Sequence, residues 1–236
     1  YLGFIYKTLM SFDSVSVVLA SINRVFIKGK KSMQHNALPD DDRIKSRPIY
    51  VTPEHPATAN YYVCVAEPDA VNLIMKHVAP IDKHRTPFHF IICADRADAP
   101  PAGLPSEWQN VPLQCCDRDA LSTTLATQLE TLTQGCHVIV AGSEAFLWDV
   151  HTLALAHGLL DAEITLLPSA DNARRVFCTH CRFMSEPVTA SPTRCQGCGL
   201  TLEVRDHFSR RLGAYMGVRI DAEVPGEVPR EEVFDS

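Results

Sequence analysis

Two Cys-x-x-Cys pairs, Cys178-Thr179-His180-Cys181 and Cys195-Gln196-Gly197-Cys198, stand 13 residues apart in the last third of the chain. A tetrahedral ion held by thiolates needs four soft ligands converging at about 2.3 Å. Two residues between paired cysteines form a tight turn that aims both sulfurs at one centre. Gly197 and Gly199 permit the left-handed backbone that such turns often require. The spacing predicts a closed metal site with Cys178, Cys181, Cys195 and Cys198 as its ligands, at the base of a small ribbon domain. Zinc is the expected ion. Rubredoxin-type iron uses similar geometry, and four unrelated buried cysteines are the bland alternative. With all four positions filled by protein, the metal is expected to hold structure and not to catalyse. His180 and His207 could ligate in principle, but four thiolates leave them as surface groups or neighbours of the ligands.

The rest of the composition narrows the classes. Among 236 residues there are nine cysteines, an odd number with four of them in the paired motif. That usage reads as metal ligation in a reducing cytoplasm, not as a disulfide framework. A formal net charge of −6 argues against general nucleic-acid binding. No apolar run approaches the roughly 20 residues needed to cross a bilayer. The best candidate, residues 15–22, is short, is interrupted by Ser16 and Ser21, and has Asp13 ahead of it, so it fails as a secretory signal too. The chain opens on Tyr1 and its first methionine is Met10. Either the start is an upstream extension, with Met33 a candidate for the natural initiator, or the sequence is a fragment; residues 1–45 are expected to be a weakly ordered leader.

From residue 46 onward the pattern is regular. Tyr61 to Val65, Phe88 to Cys93, Val111 to Cys115, His137 to Gly142 and Ile164 to Leu167 read as buried strands. Between them, residues 69–78 carry Ala70, Leu73, Ile74 and Val78 at helical spacing. Residues 119–132 carry Leu121, Leu125, Leu129 and Leu132. A third helix runs from Glu144 to Leu155, with Ser143 as its N-cap and Gly158 closing it. Pro100, Pro101, Gly103 and Pro105 mark a loop. Strands alternating with helices of this length predict an α/β domain over 46–168, a mostly parallel sheet flanked by helices on both faces. A linker follows at 169–173, then the zinc ribbon over 174–220 and an extended acidic tail over 221–236.

Other chemistry-bearing residues read as structural. Cys115-Cys116 sits at a strand end, and Cys64, Cys93 and Cys136 lie in apolar runs, as small core residues do. His151 and His157 lack an HExxH pattern. Ala-Gly-Ser143-Glu-Ala lacks the G-x-S-x-G elbow of a hydrolase, and there is no P-loop. The stretch Arg205-Asp206-His207-Phe208-Ser209-Arg210-Arg211-Leu212-Gly213-Ala214-Tyr215-Met216-Gly217 is either a solvated turn and helix or a docking surface, because Arg, Tyr, Phe and Met are enriched at interface cores.

Two resemblances follow. The strand order, with Cys93-Ala94-Asp95-Arg96 ending one strand and Ala141-Gly142-Ser143 ending another, resembles the nucleotide half of the ferredoxin-reductase family. That family cradles a pyrophosphate on a glycine-rich first turn and carries a cysteine in the later turn. Here the first turn is Val65-Ala66-Glu67-Pro68-Asp69-Ala70 and Ala141 stands for the cysteine. No glycine remains, Pro68 lacks an N–H, and two carboxylates face the phosphate position. Like charges about 5 Å apart cost on the order of 3 kcal/mol each at an effective dielectric of about 20. The nucleotide site is therefore expected to be degenerate.

Residues 174–226, with CTHC, CQGC and RDHFSRRLGAYMG in that order, closely resemble the DmmA-subunit family of bacterial dimethylamine monooxygenase. The resemblance implies a place in a multi-subunit, haem-dependent, NADPH-consuming enzyme that demethylates dimethylamine to methylamine and formaldehyde. It also implies FMN and [2Fe–2S] on a separate reductase subunit and haem on another. One cysteine quartet is used for a closed site here, and no second one exists for an iron–sulfur cluster. The expectation is a non-catalytic scaffold holding reductase and haem subunits together, with no nucleic-acid or membrane partner. The alternatives are an active flavin or nicotinamide reductase and a zinc-ribbon nucleic-acid binder. For the latter, Arg182, Arg194, Arg205, Arg210 and Arg211 would form the basic patch.

Overall fold

The computed structural model describes residues 46–51, 58–94, 108, 110–132, 135–221, 226 and 229–234. The expected leader over 1–45 and the Pro-rich loop around Pro100 lie outside the described residues.

Five strands, β1 (Tyr61–Ala66), β2 (Phe88–Cys93), β3 (Leu113–Cys116), β4 (Cys136–Gly142) and β5 (Ile164–Pro168), form one sheet in the order β3-β2-β1-β4-β5. Every pairing is parallel. Central strands buried on both faces need apolar side chains in both phases of the pleat, which is why β1 and β4 read as continuous apolar runs. Tyr62, Cys64, Phe90, Ile92 and Ile139 face the short helix α1 (Val71–Val78) through Val71, Ile74 and Val78, with Trp108 beside them. Val63, Val65, Ile91, Val138 and Val140 face α2 (Leu121–Glu130) and α3 (Glu144–Ala156) through Leu121, Leu125, Phe146, Leu147 and Val150. The expected helix over 69–78 divides into a 3₁₀ turn, Pro68–Ala70, and α1, because Pro68 opens the turn without an N–H to donate.

The C-terminal part is larger than a hairpin between knuckles. Strands β6 (Arg174–Cys178), β7 (Met184–Val188), β9 (Thr193–Arg194), β10 (Thr201–Ser209) and β11 (Ala214–Arg219) make a second sheet in the order β7-β6-β11-β10-β9, with β6 and β11 parallel. The segment between the two knuckles carries the chain through β7, β8 (Ala190–Ser191) and β9, from one edge of this sheet to the other. In the tail, expected to be extended, β12 (Glu232–Val233) pairs antiparallel with β8. Phe234 enters the core of the second sheet, where the Arg174 guanidinium lies between the Tyr215 and Phe234 rings at 4.4 and 3.9 Å. The stretch from Arg205 to Gly217, open between a turn with helix and a docking surface, is a hairpin of β10 and β11.

The two sheets share side chains. Trp148 of α3 packs into the second core with Val176, Phe208 and Tyr215, and its indole N–H donates to the Tyr50 hydroxyl at 2.8 Å. Tyr50 donates in turn to Glu144 Oε1 at 2.8 Å. Burial raises the Glu144 carboxyl, and burial together with the Glu144 charge pushes the Tyr50 and Tyr215 hydroxyls upward, so both phenols stay protonated donors.

Candidate metal centre

Cys178 ends β6 and Cys195 follows β9, and each begins a turn of the same construction. Arg182 N–H donates to Cys178 O at 2.8 Å and Cys178 N–H to Phe183 O at 3.0 Å. Gly199 N–H donates to Cys195 O at 2.9 Å and Cys195 N–H to Leu200 O at 2.9 Å. The fourth residue after each first cysteine adopts positive φ, +66° at Arg182 and +73° at Gly199. Of the two glycines expected to supply left-handed backbone, Gly199 does so. Gly197 serves closeness instead: a Cβ there would lie 2.6 Å from the Phe183 side chain, which rests across the second knuckle.

The four sulfurs lie within 4.8 Å of one another. Cys178 Sγ is 3.9 Å from Cys198 Sγ, and Cys181 Sγ is 3.6 Å from Cys195 Sγ. Sulfurs about 2.3 Å from a common centre stand about 3.8 Å apart at the corners of a tetrahedron. Both pairs match that edge, so the quartet could hold a thiolate-bound metal ion with protein at all four positions. Cys178 and Cys195 are buried, while Cys181 and Cys198 face solvent. Burial pushes the Cys195 thiol up, but the backbone N–H groups of Cys198 and Gly197 and the neighbouring sulfurs outweigh it and bring it down to about 6. The Phe183 N–H draws Cys181 down, yet partial desolvation among the sulfurs and hydrogen bonding with the other three push it up to about 12, because the cluster holds one thiolate more easily than two. A divalent cation removes that opposition, so metal binding is coupled to proton release. His180 and His207 are exposed and stand outside the quartet.

Arg182 is the costly element. A residue with Cβ in the left-handed region loses about 1–2 kcal/mol, whereas glycine there loses about 0.5–1 kcal/mol of chain entropy. Arg182→Gly should raise stability by about 0.5–1 kcal/mol, read as a higher denaturant midpoint at constant slope. A lower midpoint would show that the Arg182 side chain matters more than its backbone.

The nucleotide position of a doubly wound sheet is the crevice beyond the strand ends where the order reverses. Here that is between β1, which leads to α1 on one face, and β4, which leads to α3 on the other. Glu67 fills it. Its Oε2 accepts the Ser143 backbone N–H at 2.6 Å, and its Oε1 accepts the Ser143 hydroxyl at 3.2 Å and Arg118 Nη1 at 3.2 Å. The Glu67 carboxylate thus sits on the positive end of α3, where a phosphate would otherwise be drawn. Gly142 makes the approach possible, since a Cβ there would meet Glu67 Oε2 at 2.6 Å. Ser143 was expected to cap α3 with its side chain. Its hydroxyl instead goes to Glu67 and makes no bond to the helix. Asp69, the second carboxylate of that turn, is exposed.

Arg118 also reaches Glu186 of β7 at 3.7 Å. Arg175 of β6 binds Glu186 through Nε at 2.6 Å and Asp149 of α3 through both terminal nitrogens at 2.6 and 2.7 Å. The second sheet is therefore tied over the crevice by charge as well as by Trp148. This seam escaped sequence reasoning. The one signal was the carboxylate in the first turn, whose partner lies 76 residues away.

The remaining candidates are structural. Cys93 and Cys116 are register partners on β2 and β3, and burial pushes both thiols up, Cys93 to about 12. Cys64 and Cys136 are buried and raised likewise, Cys136 to about 11. Cys115 is half-buried against the core. His151 binds Asp161 at 2.7 Å, and His157 is exposed at the end of α3. No described helix is long and apolar enough to cross a membrane.

Comparison with known proteins gives two family matches. The N-terminal domain of dimethylamine monooxygenase subunit DmmA-like proteins matches residues 42–164, and their C-terminal domain matches residues 175–218. The delta subunit of haem-dependent oxidative N-demethylase from Ectopseudomonas mendocina (strain ymp) is 45% identical over 105 residues. That match covers 44% of this chain and 60% of the relative, so the chain spans less than two thirds of the relative's length. A siderophore utilization protein from T. fusca overlaps 48% of this chain and 46% of its own, at 15% identity and a TM-score of 0.37, an overlap too slight to carry an argument.

Proposed function

This chain belongs to the DmmA-like family of dimethylamine monooxygenase subunits, and from that membership we propose that it is a non-catalytic scaffold subunit of a multi-subunit, haem-dependent, NADPH-using monooxygenase. The reaction of the whole assembly is oxidative N-demethylation of dimethylamine to methylamine and formaldehyde. In this reading FMN and [2Fe–2S] sit on a reductase partner and haem on another, all in the cytoplasm. Residues 46–168 and 174–220 are its two domains. Zinc on Cys178, Cys181, Cys195 and Cys198 is a structural ion that holds the second sheet.

The observation that carries the reading is the Glu67 carboxylate on the N-terminus of α3. A nicotinamide dinucleotide in this crevice would have to bring its phosphates to donors already bound to a carboxylate, and against that charge. The chain's own residues then orient and cover: Glu67 and Arg118 close the crevice, Arg175 and Trp148 fasten the second sheet, and the metal ligands hold that sheet's knuckle end. No proton or electron step is assigned to them.

Co-expression with the haem and flavin subunits, followed by purification through this chain, tests the reading. All subunits should co-purify in fixed ratio. The isolated chain should show no saturable spectral or chemical-shift response to millimolar NADPH, and Glu67→Gly alone should not create one. Bound flavin or haem on the isolated chain, or turnover of NADPH by it, would overturn the proposal.

A further inference from the structure

The outer edge of β5 is open: among the described residues this strand pairs only with β4. Beside it runs a groove of about 370 Å³ whose walls include Tyr50, Trp148, Ile164 and Leu166. Apolar side chains stand out around it. Ile49 is 83% exposed and Val51 76%, both on the extended segment that forms one bank. Leu160, which precedes the turn at Asp161 and Ala162 on the other side, is 66% exposed. Exposed sheet edges flanked by such side chains are pairing templates that proteins ordinarily cover or charge.

Arg210 and the exposed carboxylate of Asp161 both line the groove. Arg210 lines the groove and Arg211 follows it, both exposed, and neither has a carboxylate partner among the described residues. Asp161, the carboxylate facing the groove, is held by His151. The Arg210 guanidinium lies 5.9 Å from the centre of the Trp148 ring. The turn carrying both arginines ends at Gly213, with φ +56°, where a Cβ would come 2.9 Å from Trp148 Cβ, so the turn is pressed against α3.

We propose that this groove is the docking site for an extended, acidic and apolar segment of another subunit of the same enzyme. The segment adds a strand to β5, lays alternate apolar side chains on Ile49 and Val51, and sets a carboxylate against Arg210 or Arg211. Backbone pairing supplies the common affinity, the apolar pockets select the side chains, and the arginines fix direction and steer the approach. An anionic partner fits because neither arginine has a carboxylate partner among the described residues, and an apolar one fits because the groove between them and β5 is lined by rings and branched aliphatics. The inference deepens the scaffold reading and rests on it.

The test uses the full chain co-expressed with the haem and flavin subunits. Ile49→Asp with Val51→Asp, and separately Arg210→Glu with Arg211→Glu, should each weaken association at least tenfold. The arginine pair should also lose most of the salt dependence seen with the unaltered chain. Leu113→Asp, on the opposite edge strand β3, should change affinity less than twofold. Amide exchange at residues 164–167 should slow in the complex. All substituted side chains are exposed, and retained folding is checked by far-UV circular dichroism and an unchanged melting temperature. If both double variants bind as the unaltered chain does, or protection falls away from β5, the docking site is wrong while the scaffold reading stands. If no subunit associates with the unaltered chain, both fall.

Discussion

Cys198→Ser is expected to strip the protein of one equivalent of metal and to melt the second sheet, with the parallel sheet outlasting it. The choice of Cys198 matters, because its side chain faces solvent. Serine at an exposed position removes almost no packing, so any large loss must come from ligation. Cys178 is fully buried, and Cys178→Ser combines lost ligation with a hydroxyl placed in an apolar core. Apparent binding energies of structural zinc are on the order of 10–16 kcal/mol, and that energy is folding energy when no site exists in the unfolded chain. A sheet of this size with little other core, supported by Val176, Leu202, Val204, Phe208 and Tyr215, has no comparable reserve. Metal analysis of the purified variants should fall from one zinc per chain to near zero. Trp148, which sits in that core, should report the loss as a red-shifted emission at a lower temperature. Unchanged metal content and melting in Cys198→Ser would end the structural-zinc assignment.

Arg175→Ala should be the most damaging substitution outside the metal site. The guanidinium is 14% exposed and binds Asp149 bidentately while its Nε holds Glu186. Those contacts, with burial working against them, hold the Arg175 charge firmly in place across the working pH range. Removing the cation leaves two carboxylates facing each other across the seam between α3 and β7. A fully buried pair broken on one side costs about 3–5 kcal/mol. Asp149 is 42% exposed and Glu186 33%, so water takes up part of that loss, and about 2–3 kcal/mol is expected. The readout is a denaturation curve that loses its single transition, with the second sheet releasing first and proteolysis opening the segment before β6. Asp149→Asn should cost less, because an amide still accepts one of the two bonds. Equal stability of Arg175→Ala and the unaltered chain would show that Trp148 packing alone fastens the sheets.

Much of the α/β part was legible because its signals are contiguous. Apolar runs at β1, β2 and β4, leucines four residues apart in α2, and Gly158 closing α3 each act within a few residues. Burial on both faces leaves such runs no polar phase to mislead the reading. The weaker signals shifted: β3 begins at Leu113 and not at Val111, at an edge where Leu113 and Gln114 are exposed. The second sheet was harder. Its edge strand β9 has two residues and carries no periodicity, and the small pairing beside it joins the two-residue β8 to β12 from the far end of the tail, so no local pattern announces them.

The convergence of the four cysteines was set by the sequence alone, because a knuckle is a turn and its geometry follows from the two residues between the cysteines. Closure of the crevice was decided only in three dimensions. Parallel pairing of β1 with β4 brings Glu67 to Ser143, and packing of β6 against α3 brings Arg175 to Asp149. A side chain's charge and size are written in its own residue. What that charge neutralises depends on strand order and register, which are settled by the long-range burial of the whole sheet.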